Sequence, residues 1–148
     1  MMTTAIRPAR PDDAERLAAL SGELGYPMTP AEAVQRLADL GSHGDHALLV
    51  AEEGGRVAGW IQASLPRIFE TPRSAEIAGL VVDSAERGRG LGRRLVEAAV
   101  EWAASRGCVA VRVRSNVIRE RAHAFYVREG FREIKTQKVL ERALASKP

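Results

Sequence analysis

A glycine-rich turn at residues 87–92, Arg-Gly-Arg-Gly-Leu-Gly, joins a strand-like segment to a helix-like one. Residues 77–82 before it are short, apolar and branched, as in a buried strand. After it, apolar side chains recur at helical spacing, at Leu91, Leu95, Ala98, Ala99 and Trp102. A glycine-rich turn that opens a helix presents free backbone N–H groups and the positive end of the helix dipole. The sequence therefore predicts a phosphate-binding turn, reinforced by the side chains of Arg87, Arg89, Arg93 and Arg94.

The positions of the glycines distinguish this turn from two common nucleotide-binding loops. A Walker loop ends in Gly-Lys-Ser/Thr, whereas Gly92 is followed by two arginines. A dinucleotide loop follows G-x-G-x-x-G, whereas these glycines occupy every second position. The pattern thus disfavours an ATP- or NAD-binding module, and an ordinary surface turn with solvated arginines is the alternative interpretation.

A second motif lies downstream, where residues 122–131 read Ala-His-Ala-Phe-Tyr-Val-Arg-Glu-Gly-Phe. Arg87-x-x-Gly90-x-Gly92 after a Val-Val strand resembles the acetyl-CoA pyrophosphate loop of the GNAT superfamily of N-acetyltransferases. Residues 122–131 resemble the closing helix of the same superfamily. The two motifs stand in the family's order, with room between them for one helix and one strand. The resemblance covers nearly the whole chain, although its first half matches only in layout.

The resemblance implies a GNAT fold, an α/β architecture in a single N-acetyltransferase domain over residues 1–148. Its central twisted sheet would be mixed, largely antiparallel and splayed in the middle, with helices on both faces. A length of 148 residues, 45% hydrophobic and 28% charged, suits one globular domain. We predict helices over 12–24, 29–41, 90–106 and 118–129, with Asp12 and Thr29 as N-caps. Strands are predicted at 5–7, 47–52, 57–61, 75–82, 109–113, 131–134 and 136–140.

By this resemblance the cofactor is acetyl-CoA, the acetyl donor, and no metal is expected. Its pyrophosphate would be held by the loop and the helix start, at Arg87, Gly88, Arg89, Gly90, Leu91, Gly92 and Arg93. The backbone of Leu80, Val81 and Val82 would pair with the pantetheine arm and polarise the acetyl carbonyl. Asn116 would bond the pantetheine amides or cap the next helix. Many family members have an asparagine seven residues before the tyrosine, where this chain has Arg119.

Two residues are candidates for acid–base catalysis. By resemblance, the Tyr126 hydroxyl would lie near the thioester sulfur, and a phenol with a pKa of about 10 stays protonated at neutral pH. Its alternative role is that of a half-buried packing aromatic. Glu76 is the first choice as base, with a solvated strand-edge carboxylate as the alternative. Glu70 and Asp83 are weaker candidates as bases, and we expect Asp83 to cap the turn before the loop.

The acceptor would enter between the first two helices and the loop at 65–74. Glu23, Tyr26 and Glu70 could line this mouth beside Glu76, and their acidity suits a cationic amine. The leading hypothesis is therefore direct acetylation of a primary amine on a small molecule resembling an aminoglycoside, a polyamine or an amino acid. A protein N-terminal or lysine acetyltransferase remains an alternative. A domain that senses acyl-CoA without turnover is another.

The remaining features favour packing or solvated roles. Because Cys108 is the single cysteine, an internal disulfide is excluded, and we expect this residue to pack in the interior. We expect His123 to be a surface or packing histidine. Residues 43–46, with two histidines and one aspartate, predict a loop because no fourth metal ligand is evident. Arginines at 112, 114, 119 and 121 lack interleaved aromatics, so no nucleic-acid partner is expected. With no signal peptide and no apolar run of about 20 residues, we expect a cytoplasmic, membrane-free protein, with a homodimer plausible.

Overall fold

A computed structural model describes residues 3–115 and 120–145, which fall into two compact units within 1–114 and 115–148. The first unit contains, in chain order, β1 (Thr4–Pro8), α1 (Ala14–Leu24), α2 (Pro30–Gly41), β2 (His46–Glu53), β3 (Arg56–Ser64), β4 (Ser74–Val82), α3 (Leu91–Ser105) and β5 (Ala110–Val113). Short 3-10 turns at Pro11–Asp13 and Ser84–Glu86 precede α1 and the glycine loop. The second unit contains α4 (Glu120–Arg128). The predicted single domain over 1–148 stays a prediction.

The five strands form one sheet in the order β1-β2-β3-β4-β5. The first three pairs are antiparallel, and β4 pairs with β5 in parallel. A parallel pair needs a crossover, and α3 supplies it between these two strands. The predicted mixed, largely antiparallel sheet is therefore confirmed.

The pairing of β4 with β5 runs from Ser74↔Ala110 to Ile77↔Val113 and then stops, although β4 continues to Val82. At the same point β4 contains a bulge, because Ile77 lies opposite Ala63 and Gly79 lies opposite Gln62, which leaves Ala78 without a β3 partner. The predicted splay is confirmed. Beyond Ile77, β4 has a strand partner on one side only within the described part of the chain.

Helices cover both faces of the sheet. On one face Leu17 and Leu20 of α1 pack in a buried cluster with Val50, Val57 and Val81, and Trp60 packs against this cluster. Because side chains alternate along a strand, Gly59 of β3 faces the opposite way, where Leu95 of α3 approaches it. Leu20 and Leu95 are both fully buried, so each helix anchors its own layer of the core.

The start of α1 differs from the prediction that Asp12 is its N-cap. Asp12 is exposed, and Asp13 occupies the N-cap position of α1 without a side-chain capping bond. The Asp13 carboxylate instead accepts the backbone N–H of Arg10, at the start of the preceding 3-10 turn, at 2.7 Å. Asp13 also accepts two guanidinium bonds from Arg7 of β1, at 2.8 and 2.9 Å. Arg7 and the Arg10 N–H hold the pKa of Asp13 below its usual value. The prediction was wrong because a partner distant from the helix, on β1, selects which aspartate turns inward.

The end of the chain also departs from expectation. The strands predicted at 131–134 and 136–140 are wrong, since residues 131–145 contain neither helix nor strand. Their side chains are mostly exposed, unlike those of the strands in the first unit. A strand needs hydrogen bonds from a neighbouring backbone as well as a suitable local sequence, and the sequence pattern reports only the second.

Candidate cofactor and acceptor site

The turn that leads from β4 to the glycine loop is organised by Asp83. Its backbone N–H donates to the Ala58 carbonyl at 2.8 Å, and its Oδ1 accepts the N–H of Ala85 at 3.0 Å. This second bond caps the 3-10 turn Ser84–Glu86, so the predicted capping role of Asp83 is confirmed. Its Oδ2 accepts from Arg16 at 2.9 Å. The Ala85 N–H and the Arg16 guanidinium hold the pKa of the Asp83 carboxyl below its usual value.

Two glycines of the predicted phosphate loop have left-handed backbone conformations. Gly88 has φ +84° and Gly90 has φ +79°, where a side chain is strained. A Cβ placed on either glycine would meet no atom within 4 Å. The backbone conformation, rather than crowding, therefore requires glycine here, and the open space next to the loop suits a bound group.

The N-terminus of α3 is bare in the sense that its N-cap residue, Gly90, makes no side-chain capping bond. Its first helical hydrogen bond runs from Arg94 N–H to the Gly90 carbonyl at 3.1 Å, so the N–H groups of residues 91–93 precede it. The first turn holds no acidic residue. The Arg93 side chain bonds to Glu97 one turn later, at 3.2 Å. This helix end therefore presents N–H donors and a positive dipole to an anion.

The arginines flanking the loop are not equivalent. Arg89 lies 3.0 Å from Glu86 and 3.5 Å from Glu53, so two carboxylates hold its guanidinium. Arg87 and Arg94 are exposed and form no ion pair within residues 3–115. Arg87 and Arg94 are therefore the guanidinium groups most available to a phosphate.

The predicted pantetheine-binding residues occupy the splayed half of β4. Leu80, Val81 and Val82 pair with β3 opposite Ile61, Trp60 and Gly59. Val81 is buried and its two neighbours are half-buried, so their side chains pack in the core. The other backbone edge has no strand partner within residues 3–115, so both predicted roles, core strand and backbone binding surface, are compatible with this geometry.

Glu76 lies on β4 just before the bulge. Its Oε1 accepts a hydrogen bond from Arg114 Nε at 2.7 Å, and its side chain is 23% exposed. In the sheet register Glu76 is flanked by Ser64 of β3 and Arg112 of β5. The carboxylate is therefore ion-paired and only partly solvated, and it shares a strand with residues 80–82.

The three residues predicted to line the acceptor mouth lie in different settings. Glu23 Oε1 accepts the backbone N–H of Ser84 at 3.2 Å, which attaches α1 to the turn before the glycine loop. Tyr26 has a 64% exposed side chain, and Glu70 is exposed in the β3–β4 loop. No hydrogen bond or ion pair joins these three within residues 3–115.

In the second unit, Tyr126 of α4 belongs to a small aromatic cluster. Its ring makes edge contacts with Phe125 and Phe131, with centroids 5.2 and 5.5 Å apart. The Phe131 N–H donates to the Tyr126 carbonyl at 2.9 Å, just after Gly130, whose φ is +94°. The cluster supports the packing role of Tyr126, and its acid role stays a prediction. Asn116 and Arg119 lie outside the described residues.

Sequence reasoning missed a cavity of about 370 Å³ on the α1/α2 face of the sheet. It is lined by residues from the end of α2, the following loop, β2 and β3, namely Leu40, His43, Asp45, His46, Gln62, Ser64, Leu65 and Pro66. The lining comes from segments far apart in the chain, so only the clustering of polar residues at 43–46 could have hinted at it.

Cys108 packs against the cluster of Leu65, Ala75 and Ala103, as predicted, but it is half-buried rather than buried. Within residues 3–115 and 120–145, no group of three or more His, Cys, Asp or Glu side chains is arranged to hold a metal ion. None of the helices in this part of the chain is long and apolar enough to cross a bilayer.

Comparisons with known proteins agree with this architecture. Residues 12–131 match the Acetyltransferase (GNAT) family. Glucosamine 6-phosphate N-acetyltransferase 1 of Oryza sativa subsp. japonica is 38% identical over 107 residues, which are 70% of this chain and 62% of that protein. The match thus spans about three fifths of the length of this relative.

Solved structures show the same fold. Glucosamine-6-phosphate N-acetyltransferase from Arabidopsis thaliana superposes with a TM-score of 0.81 at 27% identity, over 94% of this chain and 98% of that one. Aminoglycoside N-acetyltransferase AAC(6')-Iy in complex with CoA gives a TM-score of 0.86 at 16% identity, over 96% of each chain. With the family match extending over most of its length, this chain belongs to the acetyltransferase (GNAT) family.

Proposed function

We propose that this protein is an acetyl-CoA-dependent N-acetyltransferase that transfers the acetyl group directly to the primary amine of a small molecule. The observation that carries the proposal is the bare N-terminus of α3 next to the splayed half of β4. One feature suits a pyrophosphate and the other suits an extended amide-bearing arm. The two follow one another in the chain, separated only by the turn that Asp83 organises.

The residues present fit acetyl-CoA. The N–H groups of residues 91–93 and the Arg87 side chain would hold the pyrophosphate, since a helix N-terminus and a guanidinium both favour phosphate oxygens. The open backbone edge of residues 80–82 would pair with the amides of the pantetheine arm, as an added strand pairs with a sheet edge. When bound, acetyl-CoA supplies an activated acetyl thioester.

The reaction needs one base and one acid from the protein. Glu76 would take a proton from the ammonium form of the amine, directly or through water, and its Oε1 is positioned by Arg114. A carbon–nitrogen bond then forms as the carbon–sulfur bond breaks. Tyr126 would give its phenolic proton to the departing sulfur, so that free CoA leaves as a thiol. The second proton, which the nitrogen loses as the amide forms, would return to the Tyr126 phenolate directly or through water. Backbone N–H groups of the splayed strand would stabilise charge on the acetyl oxygen.

The names of the relatives favour an amino sugar as the acceptor. Both the rice protein and the Arabidopsis structure are glucosamine 6-phosphate N-acetyltransferases. An amino sugar carries a primary amine among several hydroxyl groups, and it is the chemical unit of the aminoglycosides considered from the sequence. The cytoplasmic location and the homodimer remain predictions.

Thermal melting with acetyl-CoA, CoA, ATP and NAD at equal concentration tests the cofactor. A ligand at 100 times its Kd stabilises the folded state by about 2.7 kcal/mol, which raises the melting temperature by several degrees. We expect a rise with acetyl-CoA and CoA only. A rise with ATP or NAD alone would contradict the proposal.

Turnover is tested by thiol release from acetyl-CoA in the presence of an amine panel. Tyr126→Phe should lower kcat about 100-fold while leaving acetyl-CoA affinity unchanged, because a general acid contributes on this scale and the ring is retained. Thr136→Val, which likewise removes one hydroxyl group from the second unit but at an exposed residue outside the proposed site, is the control and should leave kcat unaltered. Binding of acetyl-CoA with no turnover of any amine would instead favour an acyl-CoA sensor.

A further inference from the structure

We propose that the 370 Å³ cavity beside β2 and β3 is the acceptor site, and that it binds a polyhydroxylated primary amine. This inference rests on the proposed function and specifies its acceptor. From the sequence, Glu23, Tyr26 and Glu70 were expected to line the acceptor site. The proposed cavity is lined instead by residues of α2, β2, β3 and the adjoining loops. The volume falls within the range of about 300–1,000 Å³ typical of small-molecule sites.

The predicted base, Glu76, is not part of the cavity lining, but it lies opposite the lining residue Ser64 in the sheet. His46 of β2 lies opposite Ser64 of β3, and Ser64 lies opposite Glu76 of β4. Residues directly opposite in antiparallel strands project from the same face with Cβ atoms about 4.5–5.5 Å apart. His46, Ser64 and Glu76 therefore form one row across the sheet. An amine at Glu76 would place the rest of its molecule over Ser64 and towards His46.

The polar lining is suited to hydroxyl groups. Gln62 and Ser64 each offer both a donor and an acceptor, which is what a hydroxyl group requires. The Asp45 carboxylate lies 3.5 Å from His46 Nδ1, and both side chains add hydrogen-bonding groups to the lining. The His46 side chain is only 11% exposed, so a hydroxyl group bound next to it would be partly shielded from water.

The charge of the lining favours an amine over an anion. Of its eight residues, Asp45 is the one carboxylate, and none is Lys or Arg. Leu40, Leu65 and Pro66 supply apolar surface against which a sugar ring could pack. A hydroxylated amine would therefore meet hydrogen-bonding groups on one side and an apolar wall on the other.

Steady-state kinetics with glucosamine, glucosamine 6-phosphate and spermidine tests this inference. Gln62→Ala and Ser64→Ala should each raise the KM for the acetylated amino sugar about tenfold, since each removes one hydrogen-bonding group, with kcat changed less than about twofold. Gln35→Ala removes an exposed glutamine on α2 and is the matched control. His46→Gln, which keeps a polar group at that position, gives a further measurement if Ser64→Ala does not fold.

The outcomes separate the inference from the proposed function. An amino sugar acetylated with an unchanged KM in all three variants would overturn the cavity assignment and leave the N-acetyltransferase intact. Acetylation of spermidine alone would overturn the hydroxylated class. Failure of acetyl-CoA to bind the wild-type protein, seen in the melting experiment, would instead overturn the proposed function itself.

Discussion

The N-termini of α2 and α3 differ in how they treat the first backbone N–H groups of the helix, which have no acceptor within the helix itself. At α2, Thr29 Oγ1 accepts the Glu32 N–H at 3.1 Å, and Glu32 Oε1 accepts the Thr29 N–H at 3.0 Å, so the predicted N-cap at Thr29 is confirmed and forms a capping box. At α3, the N-cap Gly90 brings no side chain, and the first turn holds no acidic residue. One helix end is capped by its own side chains, whereas the other has no side chain at its N-cap.

The difference shows how a helix end can be assigned to stability or to binding. A capping box adds about 1 kcal/mol to the folded state and leaves no donor for a ligand. A bare end forgoes that contribution and keeps its N–H groups and dipole available. The left-handed glycine at position 90 keeps the N-cap free of a side chain, which is consistent with a functional role for the α3 terminus.

The sharpest way to break this comparison is Gly90→Val. Gly90 has φ +79°, so valine should force the loop out of its conformation and misplace the N–H groups of residues 91–93. Losing about two charge-assisted hydrogen bonds should raise the Kd for acetyl-CoA about 100-fold or more. Isothermal titration calorimetry with acetyl-CoA measures this Kd.

Gly55→Val is the matched control for that variant. Gly55 has φ +81° and likewise meets no atom within 4 Å, but it lies in the β2–β3 turn. Both substitutions should cost about 1–2 kcal/mol of folding stability through left-handed strain. Equal loss of acetyl-CoA binding in the two variants would show that general strain, rather than the α3 terminus, is responsible.

A second test concerns Asp83, which caps the 3-10 turn before the bare terminus. Asp83→Ala removes the bond to the Ala85 N–H and the ion pair with Arg16. We expect a loss of about 2 kcal/mol in the free energy of unfolding, at the upper end for an N-cap. Urea denaturation at pH 7 measures it. An unchanged midpoint would show that the loop is held by other contacts.

The loss of stability in Asp83→Ala should also depend on pH. The folded-state pKa of Asp83 is lowered, so its contribution is fully present above its unfolded pKa of about 3.9 and is lost as the pH falls through the folded value. The stability difference between wild type and Asp83→Ala should therefore be constant from pH 7 to about pH 5 and shrink at lower pH. Asp13, whose pKa is lowered by Arg7, remains in both proteins and cancels.

Arg87 and Arg89 sharpen the comparison within the loop itself. Arg87 has no ion-pair partner within residues 3–115, whereas Arg89 is held by Glu86 and Glu53. Arg87→Gln should raise the Kd for acetyl-CoA about tenfold, since one charged hydrogen bond to phosphate is lost. Arg89→Gln should raise it less. A larger effect at Arg89 would mean that its carboxylate partners release it when the cofactor binds.

The smallest effect is expected at the capped end. Thr29→Ala removes the side-chain acceptor of the capping box and should lower the free energy of unfolding by about 1 kcal/mol. Acetyl-CoA affinity should stay unchanged, because the α2 cap takes no part in the proposed cofactor site. Thermal melting with and without acetyl-CoA reports both quantities. A weakened response to acetyl-CoA would contradict the division between the two helix ends.

Much of the fold follows from local sequence signals. The Thr29 capping box, the hairpin around residues 54–55 and the glycines of residues 88–92 each act within a few residues, so their conformations were predictable. The order of strands and helices was also predictable, because turn and capping residues in the sequence mark where most of them begin and end. The 3-10 turn at Pro11–Asp13 was not predicted, and the strands predicted after residue 130 do not form. Both conformations depend on contacts with residues elsewhere in the chain.

The sequence by itself thus determined most of the helices and strands and the left-handed glycine turn that opens α3, because glycine conformation and helix polarity are local properties. Tertiary structure decided where the sheet splays, through the bulge at Ala78 and the end of the β5 pairing. It also decided that Glu76 meets Arg114 and that Glu23 bonds to the turn after β4. These contacts join residues dozens of positions apart, and only the packed sheet brings their side chains together.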